Sequence, residues 1–179
     1  MKKQNKYKFF DGFIYSILLI IAFFLQSTPI LFKASSPSPS LILALILIIS
    51  FFENPRFAAL FGLIGGMLID SISVGGSGIY ALIYMLTGLI CSLITKALLQ
   101  NNFASFAVIG VPVILIHQVL DIIIKSGFTN GLFGLFFNFY LTVAIYTFAV
   151  AFLLYLLFSF VIKKDEKFKM PTGIIKNKK

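Results

Sequence analysis

Residues 53–94 read ENPRFAALFGLIGGMLIDSISVGGSGIYALIYMLTGLICSLI and contain two apolar runs on either side of a glycine-rich turn. The first run covers residues 57–74, and the second begins at residue 78 and continues past the quoted stretch to residue 99. Each run therefore has about the 20 residues that an α-helix needs to cross a bilayer. Glycine tolerates the positive φ angles of a tight reversal. This stretch predicts a hairpin of two membrane-spanning helices.

Apolar runs continue on both sides of this hairpin. Together they give six candidate spans, at residues 13–32, 40–52, 57–74, 78–99, 103–124 and 132–162. The second run is short, which fits a thinned or partly re-entrant span. The last run is too long for one crossing, so it must tilt, bend or begin at the membrane interface. We predict an all-α, polytopic protein of about six transmembrane helices at residues 13–162, between a basic N-terminal segment (1–12) and a basic tail (163–179).

The composition excludes an ordinary soluble domain. Of the 179 residues, 59% are hydrophobic and only 12% are charged, whereas about a quarter of a soluble domain is charged. The net charge is +9, but the basic residues lie mainly at the two ends of the chain, so we expect contact with membrane lipids and no nucleic-acid binding. With both termini in the cytoplasm, 13 of the 15 basic residues face the cytoplasmic side. We therefore predict a multi-pass protein of the cytoplasmic membrane.

A few polar side chains fall inside the predicted spans, where they are costly and therefore informative. Helix rise places Gln26, Asp70 and His117 about 20 Å from the cytoplasmic edge, and Asp121 one turn further along the same face as His117. We expect these four residues to form a polar layer in the outer half of the membrane. Three interpretations remain open: a hydrogen-bonded knot that fixes helix packing, a pocket or partner-docking site, and a proton or ion relay.

The third predicted helix also carries a stripe of small residues. Ala58, Gly62, Gly66 and Asp70 recur every four residues and share one face. Small residues at this spacing allow a second helix to approach closely, as in the G-x-x-x-G motif. We therefore expect an internal helix interface here, with Asp70 facing protein rather than lipid.

Two sequence features resemble catalytic motifs but lack the residues that the chemistry requires. The Gly-Gly-Ser-Gly sequence at residues 75–78 matches the nucleophile motif of rhomboid proteases, but its serine lies at the membrane surface while His117 lies about two turns deeper. Asp70 and Asp121 lack the glycine–aspartate signature of intramembrane aspartyl proteases. We predict no catalytic residue, no cofactor and no metal site, and the single cysteine, Cys91, has no partner for an internal disulfide.

The central hairpin resembles the core of the MreD family of rod shape-determining proteins. In that family a short cytoplasmic turn leads into a helix of the form G-x-x-x-G-x-L-x-D-x-x-S, followed by a glycine-rich hairpin and another apolar helix. The matching positions here are Gly62, Gly66, Leu68, Asp70, Ser73, Gly75, Gly76 and Gly78. A Leu-Gln-x-x-Pro sequence at residues 25–29 and an Asp-Ile-Ile run at residues 121–123 are also similar to the family. The resemblance extends over essentially the whole chain, with His117 as a departure from it.

The resemblance implies a non-enzymatic scaffold of the machinery that elongates walled bacterial cells. Members of the family associate with the bitopic protein MreC and, through it, with MreB filaments and the synthases that build peptidoglycan. Their fold is similar to the S component of energy-coupling-factor vitamin transporters, and a substrate-binding S component is therefore the alternative function. Such components usually carry an Ala-x-x-x-Ala docking face on the first helix, whereas Ala22 stands alone here. The sequence does not decide whether the polar layer binds a small molecule.

Overall fold

The structure is a computed structural model of the chain, and it describes residues 2–28, 39–73, 78–98, 103–126 and 140–168. All regular structure in these ranges is helical, so the predicted all-α class is confirmed. The helices are α1 (Lys2–Ser27), α2 (Leu41–Phe52), α3 (Pro55–Ile72), α4 (Ile79–Leu98), α5 (Phe103–Ser126) and α6 (Leu141–Phe168).

Four of these helices are long and apolar enough to cross a membrane. Their apolar stretches are Pro55–Ile72, Ile79–Ala97, Phe103–Ile124 and Leu141–Phe160. The apolar parts of the other two helices, Gly12–Ser27 and Leu41–Phe52, are shorter. The described part of the chain is therefore an α-helical membrane protein with four candidate spans.

The predicted boundaries differ from the helices most at the two ends of the chain. Helix α1 begins at Lys2 and α6 continues to Phe168, so both extend beyond the apolar runs that predicted them. Lysine, glutamine and glutamate are good helix formers, and a helix therefore continues where its hydrophobicity stops. The overlong last run gives a helix only from Leu141, while residues 127–139 lie outside the described residues.

The short helix α2 forms the centre of the bundle. Residues 42–51 are all buried, and α2 contacts α1, α3, α4, α5 and α6. A helix that is apolar on every face is stable in lipid or among other helices, and here the other helices enclose it. Its 12 residues cover about 18 Å, and a helix enclosed by protein does not have to match the thickness of the lipid core. This position explains why the second apolar run is short.

Helix α3 begins at Pro55, where proline causes no loss of a helical hydrogen bond. The preceding residue, Asn54, is the N-cap residue, and its carbonyl accepts the N–H groups of Phe57 and Ala58, both at 2.9 Å. The side-chain oxygen of Asn54 also accepts a hydrogen bond from the Lys96 ammonium at 2.6 Å. The turn between α2 and α3 is therefore attached to the last turn of α4.

The most extensive helix contact joins α3 to α4. A methyl group at Gly62 or Gly66 would overlap backbone atoms of α4, and a methyl group at Gly88 on α4 would overlap the carbonyl of Ala58 on α3. The two backbones touch at three successive levels, which only glycine allows. Helices α3 and α4 therefore form a rigid pair against the central helix α2.

Candidate functional site

A polar cavity of about 730 Å³ opens between the helices at one end of the bundle. Helices α1, α3 and α5 end there, and helices α2, α4 and α6 begin there. Its wall combines aliphatic side chains with amide, phenol, imidazole and carboxylate groups. The polar part of this wall includes Gln26, Tyr80, Tyr84, His117, Gln118 and Asp121. The structure thus brings three of the four residues of the predicted polar layer into one cavity and places Asp70 beside it.

Asp70 caps the helix that follows its own. Its carboxylate accepts hydrogen bonds from the backbone N–H groups of Ala81 at 2.8 Å and Tyr80 at 3.4 Å, in the first turn of α4. The first N–H groups of a helix have no intrahelical partner, and that end of the helix carries partial positive charge. A carboxylate from α3 satisfies two of these donors. This accounts for a charged side chain that is only 8% exposed in an apolar bundle.

Side chains of other helices also form hydrogen bonds with the N terminus of the central helix α2. Ser40, its N-cap residue, pairs its hydroxyl with the Tyr84 hydroxyl at 3.3 Å and donates its backbone N–H to the Thr147 hydroxyl at 3.0 Å. The Gln26 side-chain oxygen instead accepts the N–H of Ile42 at 3.2 Å. Residues from α1, α4 and α6 therefore hold the N terminus of α2.

Replacing Gln26 by leucine is expected to destabilise the protein by about 1 kcal/mol, because the Ile42 N–H loses its acceptor. The measurement is the thermal unfolding midpoint of the purified protein in a mild detergent. Gln118→Leu is the control, since no hydrogen bond of its side chain occurs within the described residues. Equal losses of stability in the two variants would contradict the capping role of Gln26.

Two tyrosines of α4 face the polar residues of α5. The Tyr80 hydroxyl donates a hydrogen bond to the Asp121 carboxylate at 2.6 Å. One helical turn along, the Tyr84 and His117 rings meet edge to face with centroids 4.7 Å apart. His117 is buried at 6% exposure, so these contacts lie inside the bundle rather than on its lipid-facing surface. The four side chains hold donors and acceptors at fixed positions around the cavity, as a binding site requires.

The sequence of the helical bundle matches one known protein family over most of its length. Residues 6–164 match the family model described as rod shape-determining protein MreD. The chain belongs to the MreD family. No curated protein and no solved structure matches it significantly. The matched residues begin within α1 and end within α6, so they include both the α3–α4 pair and the polar cavity.

This match confirms the family predicted from the hairpin motif. The chain is therefore a membrane protein of a family that determines cell shape. MreD is a family of shape-determining membrane proteins and is not a known family of enzymes. Among the described residues, no group of three or more histidine, cysteine, aspartate or glutamate side chains is placed to hold a metal ion.

The MreD hairpin motif lies partly within the described structure. Ser73 ends α3, and both its N–H and its hydroxyl donate to the Ile69 carbonyl, at 3.0 and 2.8 Å. Gly78 has a φ of +72°, a conformation that side-chain-bearing residues rarely adopt, and it leads into α4. The other two motif glycines, Gly75 and Gly76, lie outside the described residues.

Sequence reasoning missed three MreD residues that contribute to this architecture. Tyr80 and Tyr84 line the cavity, and Gly88 forms the third backbone contact with α3. The signal was present, because these residues recur every four positions and share a face of α4. It was overlooked because tyrosine and glycine are common in membrane helices and carry no charge.

Proposed function

We propose that this protein is a non-enzymatic scaffold of the cell-elongation machinery that binds an MreC-like bitopic partner and helps to organise peptidoglycan synthesis. The observation that carries the proposal is the family match over residues 6–164. Through the partner, the scaffold acts on MreB filaments and wall synthases. The arrangement of the polar groups supports this role, since Asp70 and Gln26 hold helices in place and leave the outer surface apolar.

The proposed topology has six transmembrane helices and both termini in the cytoplasm. The alternating direction of the helices at the polar cavity supports an even number of crossings. The central position of α2 supports counting it among them despite its length, because protein rather than lipid surrounds it. The basic ends, residues 1–12 and 163–179, then lie on the cytoplasmic side and the polar cavity on the outer side.

We assign the outer face of the α3–α4 pair as the surface that binds the partner's transmembrane helix. It presents a row of exposed apolar side chains that includes Leu60, Met67, Leu82 and Leu86. Within lipid, helices associate by close packing rather than by hydrophobic burial, and packing favours a rigid surface. The contacts at Gly62, Gly66 and Gly88 supply this rigidity.

The polar cavity favours the S component of an energy-coupling-factor transporter as a second candidate function. Its volume lies within the range of small-molecule sites. The first helix argues against this candidate, because Ala22 is 7% exposed and packs into the core rather than offering an external docking face. We therefore place the scaffold function first.

Purification through a C-terminal tag from gently solubilised native membranes, followed by mass spectrometry, tests these functions. We expect an MreC-like bitopic protein and wall synthases among the recovered proteins. Leu86→Trp on α4 should lower their recovery severalfold, while Leu153→Trp, on an equally lipid-facing part of α6, should leave it unchanged. Recovery of a transmembrane coupling subunit with paired ATPases would replace the scaffold function with the transporter function. Equal recovery from both variants would contradict the assigned face.

A further inference from the structure

The polar cavity contains a buried amide that the packing of the bundle does not explain. Gln118 on α5 is 3% exposed and lines the cavity. Within the described residues its carboxamide has no hydrogen bond, whereas Gln26, Asp121 and Tyr80 each have one. A polar group that faces a cavity takes its hydrogen bonds from whatever fills that cavity. The position of Gln118 therefore indicates that a molecule in the cavity supplies its hydrogen bonds.

The shape of the wall indicates a flat ring. Tyr80 and Tyr84 are 5% and 2% exposed, and they stand one helical turn apart on the same side of the cavity. His117 crosses Tyr84 edge to face at 4.7 Å, which fixes the orientation of both rings. Fixed aromatic side chains provide flat apolar surface at little entropic cost and favour stacking against another ring.

The charges on the wall favour a molecule without net charge. Asp121 contributes a carboxylate, which accepts the Tyr80 hydroxyl at 2.6 Å. The N terminus of α2, at Ser40, opens onto the same cavity and contributes partial positive charge. Both groups are already engaged within the bundle, the carboxylate by Tyr80 and the N terminus of α2 by Gln26 and Thr147, so neither is left to hold an ion. The remaining groups, an amide, phenols and an imidazole, suit neutral donors and acceptors.

We propose that the polar cavity binds a small uncharged molecule that combines a flat ring with a carboxamide or a similar donor–acceptor edge. The edge pairs with Gln118, since two carboxamides can exchange two hydrogen bonds, and the ring lies against the α4 tyrosines. This binding site goes beyond the scaffold function, which does not require a ligand.

Nicotinamide is a suitable probe, because it has a flat ring and a carboxamide and carries no charge at neutral pH. Its binding to the full-length protein in mild detergent is followed by saturation-transfer NMR, which detects weak ligands. Nicotinate, which replaces the carboxamide by a carboxylate, serves as the matched probe. We expect saturable binding of nicotinamide, with an apparent affinity at least tenfold higher than that of nicotinate.

Two cavity variants and one control variant are compared with the original protein. Gln118→Leu should lower the apparent affinity for nicotinamide about tenfold, and Ile124→Phe should abolish binding by filling the space. Thr95→Val removes an equally buried hydroxyl, which bonds the Cys91 carbonyl of its own helix away from the cavity, and should change nothing. The thermal unfolding midpoint of each variant shows that it is folded.

Each other result overturns the proposal. If binding of nicotinamide does not saturate, the cavity holds water alone. The same conclusion follows if the Gln118→Leu and Ile124→Phe variants bind nicotinamide as well as the original protein does. Nicotinate binding as tightly as nicotinamide would show that the site does not select an uncharged carboxamide. Neither result would affect recovery of the scaffold partners, so the proposed function is tested separately.

Discussion

Replacing Gly66 by alanine is expected to lower the amount of folded protein in the membrane sharply, and Gly66→Leu is expected to remove it. A methyl group at this position would overlap the Ala81 Cα and lie 2.5 Å from the Tyr80 carbonyl oxygen. Both are backbone atoms, so no side-chain rotation relieves the overlap. Helices α3 and α4 must separate, which also lengthens the hydrogen bonds of Asp70 to the first turn of α4. We expect the loss to reach or exceed the upper end of the usual range for overpacking, about 3 kcal/mol.

Neighbouring glycines provide a graded series of controls. A methyl group at Gly65 would meet side-chain atoms of Ile42 and Ile46 at 3.0 and 3.1 Å, and side chains can yield. Gly65→Ala should therefore cost less than Gly66→Ala, although the two residues are adjacent. At Gly110 the nearest atom is 4.0 Å away, on the Phe148 ring, and alanine there should be neutral or slightly stabilising. The measurement is the quantity and thermal stability of tagged protein after detergent extraction. Equal losses in all three alanine variants would contradict the contact between Gly66 and the backbone of α4.

The sequence contained enough information to predict the helices, because the apolar runs are long and the charges between them are few. The same information could not predict where each helix lies in the bundle. Helix α2 shows why: its run differs from the others only in length, and that length was compatible with a thinned span. Its apolar character on every face could not decide the matter either, because such a helix suits lipid as well as a protein interior. Only the structure shows that five neighbouring helices enclose it.

The candidate site was predicted in part. Helix rise was sufficient to place Gln26 and His117 at one level and Asp121 one turn further out, and these residues do line one cavity. Asp70 was placed at the same level, but its partners are backbone N–H groups, which every residue has and no sequence pattern distinguishes. Tyr80 was missed for a related reason, because its hydrogen bond to Asp121 depends on how α4 and α5 are rotated against each other.

Replacing Asp70 by leucine is expected to cause the second large loss of stability. Two buried N–H groups at the start of α4 lose their acceptor, and each buried group left unpaired costs about 1–3 kcal/mol. Asp70→Asn should lie between leucine and the original residue, because its single oxygen can accept one N–H while its amide group opposes the other. The thermal unfolding midpoint of the purified variants should therefore fall in the order Asp, Asn, Leu.

Asp121→Asn is the matched control, because an amide oxygen can still accept the hydroxyl of Tyr80. Its unfolding midpoint should remain close to that of the original protein. A general effect of removing a carboxylate charge would instead lower the midpoints of Asp70→Asn and Asp121→Asn by similar amounts. Such an outcome would mean that the capping geometry of Asp70 is not the source of its contribution.

Hydrogen–deuterium exchange separates local capping from general destabilisation more directly. If Asp70 holds the first turn of α4, Asp70→Leu should increase exchange in a peptide that covers residues 78–84, while residues 42–51 of the central helix remain protected. Increased exchange in both segments would indicate that the whole bundle has loosened, and unchanged exchange in residues 78–84 would contradict the cap. Because Tyr80 lies in this turn and Tyr84 in the next, its loosening should also weaken binding in the polar cavity, which links the packing role of Asp70 to the site beside it.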